Sequence, residues 1–165
     1  MDERMKDIEQ VGDLIRGIRV AMLTTVDGDG ELHSRPMATQ DVDFDGTLWF
    51  FTAADSEKAA ELEREARVNV SYADVDRSRY VSLSGSARLV RDRERIRELW
   101  KPFLKAWFPK GLDDPELALL EVAVTAGEYW DAPASRLVRL AGLVKGALTG
   151  TGMPGGEHGH LDVHH

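Results

Sequence analysis

Four residues, Asp27-Gly28-Asp29-Gly30, constrain the fold of this chain more than any others. Two Asp-Gly pairs between runs of strand-forming residues predict a tight hairpin, because glycine takes the positive φ that such turns need. The turn makes Arg19 to Asp27 and Glu31 to Val42 antiparallel partners. Polar turns recur at 41–46 and 74–77, and between them lie the runs Leu48 to Ala53, Val68 to Ala73 and Tyr80 to Val90. Five strands before residue 91, most of them joined by short polar turns, predict a small antiparallel barrel. Gly85 inside the last of these runs predicts a bend or a close backbone approach.

Helices flank this β-rich half. Met5, Ile8, Val11, Leu14 and Ile15 recur at helical spacing over residues 4–17, with Gly17 at the end. Ser56 to Ala66 predicts a short helix that Asp55 or Ser56 can cap. Arg93 to Phe108 carries Ile96, Leu99, Trp100, Phe103, Leu104 and Trp107 in a helical rhythm, and Pro102 kinks it or starts a second helix. Leu117 to Thr125 and Glu128 to Asp131 read as closing strands around a turn at Ala126-Gly127, and Ser135 to Leu148 as a last helix. We expect one domain over residues 1–150 and a flexible Gly/His-rich tail over 151–165.

Several function classes lose support. A net charge of -8 argues against nucleic-acid and anionic-membrane surfaces. No apolar run approaches the ~20 residues of a membrane span. The N-terminus lacks an apolar signal core. The absence of cysteine removes disulfides and thiolate catalysis and suits a reducing cytoplasm. No metal is expected. Asp41-Val42-Asp43-Phe44-Asp45-Gly46 imitates the start of a calcium loop, but its twelfth position is Thr52 rather than glutamate. Four of the five histidines lie in the last eight residues, where a loose tail would fix no geometry. There is no nucleophile elbow and no paired-histidine helix, so any chemistry must come largely from a cofactor.

The stretch Arg35 to Lys58 is the candidate site. Arg35 and Met37 share one strand face, and Pro36, which lacks an N–H, marks an edge or a bulge. Leu48-Trp49-Phe50-Phe51-Thr52 follows, and then Asp55-Ser56-Glu57-Lys58 opens a helix. A cation in a first helical turn opposes the helix dipole, and a bound phosphate would remove the conflict. Taken alone, the stretch also fits a solvated lysine on a surface helix.

The order of these segments resembles the FMN-binding split-barrel proteins related to pyridoxamine 5′-phosphate oxidase, within them the general stress protein 26-like branch. The resemblance rests on the Leu-Thr-Thr-Val-Asp hairpin, Arg35-Pro36-Met37, Trp49-Phe50-Phe51-Thr52 and Ser56-Glu57-Lys58. It continues through Trp107-Phe108-Pro109-Lys110-Gly111, Asp113-Asp114-Pro115, Glu128-Tyr129-Trp130-Asp131 and Ala147-Leu148-Thr149-Gly150, covering about residues 5 to 150.

It implies a mainly β fold with flanking helices, an antiparallel split β-barrel, forming a homodimer with FMN in the cleft between two barrels. Arg35 would contact the flavin phosphate or ribityl end. Pro36, Met37 and Ala38 would lie along the isoalloxazine, and Phe51 and Thr52 would meet its edge. Ser56 and Lys58 would hold the phosphate, while Trp107 and Trp130 would cover the flavin from the other chain. Tyr80 occupies a position where some relatives place a polar flavin contact. The chain departs from the oxidases at Gln40 and Glu57, where they carry basic residues. It also lacks their arginine and histidine constellation for pyridoxal phosphate, since Arg136 and Arg139 read as the exposed side of the last helix. The resemblance therefore implies flavin binding, not pyridoxamine phosphate oxidation. Four readings stay open at this point. They are an FMN-dependent oxidoreductase acting on a small molecule, a non-catalytic flavin-buffering stress protein, a deazaflavin binder and a cofactor-free dimerisation module.

Overall fold

The computed structural model describes residues 3–132 and 157–163. The first helix, α1 (Glu3–Ile15), buries Val11 and Leu14, and Gly17 follows it at φ 83°. Strands β1 (Val20–Val26) and β2 (Leu32–Ala38) form the expected hairpin, in register from Val20↔Ala38 to Val26↔Leu32. Asp27 organises the turn by accepting the N–H groups of Asp29 and Glu31, each at 2.9 Å. Those donors, the Glu31 N–H foremost, hold its carboxyl below the usual carboxylate range.

Strand β3 (Thr47–Ala53) leads into α2 (Glu57–Arg64), followed by β4 (Arg67–Asp74), β5 (Arg79–Val90) and α3 (Arg93–Leu99). Short 3₁₀ turns at Pro102–Ala106 and Gly111–Asp113 lead to β6 (Leu117–Asp131), and β7 (Glu157–Asp162) is last. Among the described residues seven strands make one antiparallel sheet in the order β2-β1-β4-β5-β6-β3, with β7 also on β6. At its two ends β2 and β3 approach each other without pairing, which leaves the barrel split.

Three expectations need correction. The 93–108 helix ends at Leu99, and Pro102 opens a separate 3₁₀ turn, since proline cannot continue the ladder. The closing strands are one 15-residue strand. The expected turn at Ala126-Gly127 is instead a bulge: Ser84 pairs with Ala126 but Gly85 with Val124, so Thr125 is the extra residue. Gly85 is what allows it, because a Cβ there would lie 2.1 Å from the Ala123 carbonyl oxygen. Finally, the Gly/His-rich stretch expected to fray supplies β7. Leu161 and Val163 are buried in the main core, and this anchors it. The expected helix 135–148, with Arg136 and Arg139, lies outside the described residues.

The sheet separates two apolar clusters. One face of β6 sends Leu120, Val122 and Val124 into a core with Leu23, Phe50, Val70 and Leu83. Its other face sends Leu117 and Leu119 to a smaller cluster with Ile96, Leu99 and Leu104. Burial on both faces explains the unbroken apolar run Leu117 to Leu120. Among the described residues no helix is long and apolar enough to cross a membrane.

Candidate functional site

The predicted helix tip forms as the sequence requires. Ser56 has extended backbone and accepts the Ala59 N–H at 3.2 Å, which makes it the N-cap of α2. Ala60 donates to the Ser56 carbonyl, so the N–H groups of Glu57 and Lys58 lie ahead of the first helical acceptor. The Lys58 ammonium approaches Met37 Sδ at 3.6 Å. Among the described residues no carboxylate lies within ion-pair distance of it. Its pKa is pushed down to about 8, by burial first and by the charge of Arg35 second. Arg35, Met37 and Lys58 are thus neighbours, and Ser56 caps the helix that carries Lys58.

The Arg35 guanidinium has partners that the sequence did not reveal. It donates to Thr25 Oγ1 at 2.6 Å and to Glu61 Oε2 at 3.3 Å, and Thr25 donates to the same carboxylate oxygen at 2.7 Å. Glu61 is only 2 % exposed. It lies on α2 one turn after Lys58 and directly before buried Leu62, and that helical spacing was the available signal for it. The arginine's charge is thus paired inside the chain, whereas Lys58 has no acidic partner among the described residues.

On β3, side chains alternate across the sheet. Phe51 points into the smaller cluster, edge-on to Trp100 with ring centroids 5.5 Å apart, and Ala38 belongs to the same cluster. What Phe51 can offer a ligand is its backbone, not its ring. Thr52 points the other way, and its buried hydroxyl has no hydrogen-bond partner. Pro36 is exposed near the open edge of β2, where its missing N–H leaves no unmet donor. Trp107 and Trp130 remain at the surface, 44% and 39% exposed. Trp107 ends the first 3₁₀ turn, and Trp130 stacks on His158 at 5.1 Å with ring planes 9° apart.

A cavity of about 470 Å³ lies elsewhere, between the end of α1, the 39–44 loop and the start of β3. Ile15, Gln40, Phe44, Trp49 and Phe103 are among its walls, and none of the ten predicted site residues lines it. Of the predicted residues, Arg35, Met37, Ser56 and Lys58 make one open wall, whereas Ala38 and Phe51 lie in the smaller core cluster and Trp107 and Trp130 on other elements.

The family model "Pyridoxamine 5′-phosphate oxidase like" matches residues 6–154. A general stress FMN/FAD binding protein from Xanthomonas citri has a solved structure that superposes with a TM-score of 0.68 at 31% identity, covering 79% of this chain and 92% of that one. The structure of a Jannaschia sp. CCS1 protein assigned as general stress protein 26 gives a TM-score of 0.72 at 26% identity, covering 98% and 100%. Protein bli-3 of Neurospora crassa is 28% identical over 160 residues, covering 91% of this chain and 75% of that protein.

Proposed function

The chain belongs to the pyridoxamine 5′-phosphate oxidase-like family, and from that premise we propose that it is an FMN-binding flavoprotein of the general stress type. One observation carries the reading. Lys58, partly desolvated and without an acidic partner among the described residues, sits at the opening of a capped helix beside Arg35. A half-buried cation of this kind is unfavourable until an anion arrives, and a phosphate dianion would supply the missing charge.

The residues present fit such a group. The Lys58 ammonium, the Ser56 hydroxyl and the N–H groups at the start of α2 would take the phosphate. Arg35, already braced by Glu61, adds positive potential without having to be ordered on binding. Met37 and the Pro36–Ala38 backbone would line the ring, and the unpartnered Thr52 hydroxyl offers a polar contact at its rim. The open wall is completed, in this reading, by a second copy of the chain that brings Trp107 and Trp130. Bound FMN supplies hydride and single-electron transfer, and the protein positions the ring for a small-molecule or nicotinamide partner.

The test is a difference spectrum on adding FMN to the purified protein, with Lys58→Ala and Ser56→Ala as controls. We expect a shift of the flavin bands that saturates near one FMN per chain, and at least a tenfold weaker affinity in Lys58→Ala. An unchanged spectrum at roughly 1 mM FMN, where binding is worth only about 4 kcal/mol, overturns the reading. Parallel titrations with FAD and a deazaflavin decide the cofactor. Anaerobic addition of a reduced nicotinamide should bleach the bound flavin, and a flavin that binds but is never reduced would leave only a storage role.

A further inference from the structure

The second feature of the molecule that calls for a ligand lies on the outer face of the β6–β7 ladder. His160 is the register partner of Glu128, and His158 that of Trp130. Residues two apart on a strand share a face, so both imidazoles and the Glu128 carboxylate stand side by side. The two carboxylate oxygens address one histidine each: Oε1 lies 3.3 Å from His160 Nδ1, and Oε2 lies 3.7 Å from His158 Nε2. All three ligand atoms fall within 4.8 Å of one another. Tetrahedral coordination with bonds of about 2.0–2.2 Å separates neighbouring ligands by roughly 3.3–3.6 Å, so side-chain rotations that draw the three atoms together by about 1 Å would complete the site.

We propose that Glu128, His158 and His160 form a binding site for a divalent transition-metal ion, with zinc the best match. Two imidazole nitrogens and one carboxylate oxygen are borderline ligands that favour zinc, nickel or copper over magnesium or calcium. Three protein ligands leave at least one coordination position to water. The site also has a built support. The His158 ring lies parallel on Trp130, which fixes its plane, and the His160 ring packs beside it at 5.2 Å. Buried Leu161 and Val163 seat the strand that carries both histidines. The expectation that tail histidines lack fixed geometry fails for these two, because a strand holds them. A bound ion would tie β7 to β6 across the ladder, directly beside the Trp130 that the proposed flavin site uses.

Zinc titrated calorimetrically into the full-length protein tests the proposal. The expected result is one ion per chain, and a higher thermal midpoint with zinc than with a chelator. Glu128→Gln, His158→Gln and His160→Gln should each weaken binding at least about tenfold, whereas a His164→Gln/His165→Gln variant should bind as the parent does. All three ligand positions are exposed or half-buried, and unchanged circular dichroism will show that the sheet survives substitution. Cobalt offers a second readout, since an ion with nitrogen and oxygen ligands in this geometry gives visible absorption bands. Zinc binding that persists in the Glu128 and His158 variants, or that follows His164 and His165, overturns the site. So does no binding at all, which would leave ion pairing between the three side chains as their only role.

Discussion

Partial burial and the nearby Arg35 make the charged form of Lys58 unfavourable in the folded chain. Its folded pKa is about 8 against an ordinary value of 10.5, so between these values the unfolded chain binds more protons than the folded one. Stability should therefore rise with pH from about 8 towards 10.5, and be lower below that window. Denaturant titrations at pH 7.5 and 9.5 will show this rise in the parent and not in Lys58→Met, which should also be more stable at pH 7.5 by roughly 1 kcal/mol. FMN affinity should run the opposite way, falling as pH rises past about 8, because the phosphate favours the ammonium form. Arg35 behaves differently. Arg35→Ala strands the Glu61 carboxylate, which is almost inaccessible to water, and should cost about 3–5 kcal/mol in urea denaturation. Glu61→Gln should cost less, since the half-buried arginine still reaches solvent. Equal losses would mean that the pair is not what holds this corner together.

At the scale of elements, local chemistry made most of the sheet legible. The Asp-Gly turn, the aromatic β3 run and the Ser56 cap each follow from the bonding of a few adjacent residues, and each appears at the expected place. Reading failed where the deciding contact was distant in sequence. Gly127 resembles a turn residue, yet it lies inside β6, paired with Leu83 on β5 and Leu161 on β7, where a Cβ would come 2.7 Å from the Leu83 side chain. The histidine-rich end looked like tail because the apolar pattern of Leu161 and Val163 is too short to announce a strand without its partner. Within the site, strand alternation placed Arg35 and Met37 on one face and capping chemistry placed Ser56, but bringing Lys58 to Arg35 rested on the family resemblance, and Glu61 looked like one more solvated acid. Gly85→Ala tests the bulge. Its Cβ would overlap a backbone oxygen that cannot move aside, so a loss of about 3 kcal/mol or more is expected in thermal or denaturant unfolding. A near-neutral result would show that the β5–β6 register can slide.

For the whole molecule, the arrangement of the proposed flavin residues predicts assembly. Arg35, Met37, Ser56 and Lys58 make one open wall, while Trp107 and Trp130 are exposed on other elements of the same chain. Sedimentation equilibrium should give twice the mass of 18.4 kDa, with FMN tightening the association, and monomers that bind FMN at full strength would contradict a shared site. β7 has a further consequence. Between Ala126 and Asp131 the longest strand of the sheet has β5 on one side and β7 on the other. Were β7 to detach, a row of bare amides and carbonyls would face water, ready to recruit a strand from a neighbouring molecule. The last described strand would then guard against fibrous self-association, and any ion that pins it would make that protection depend on metal supply.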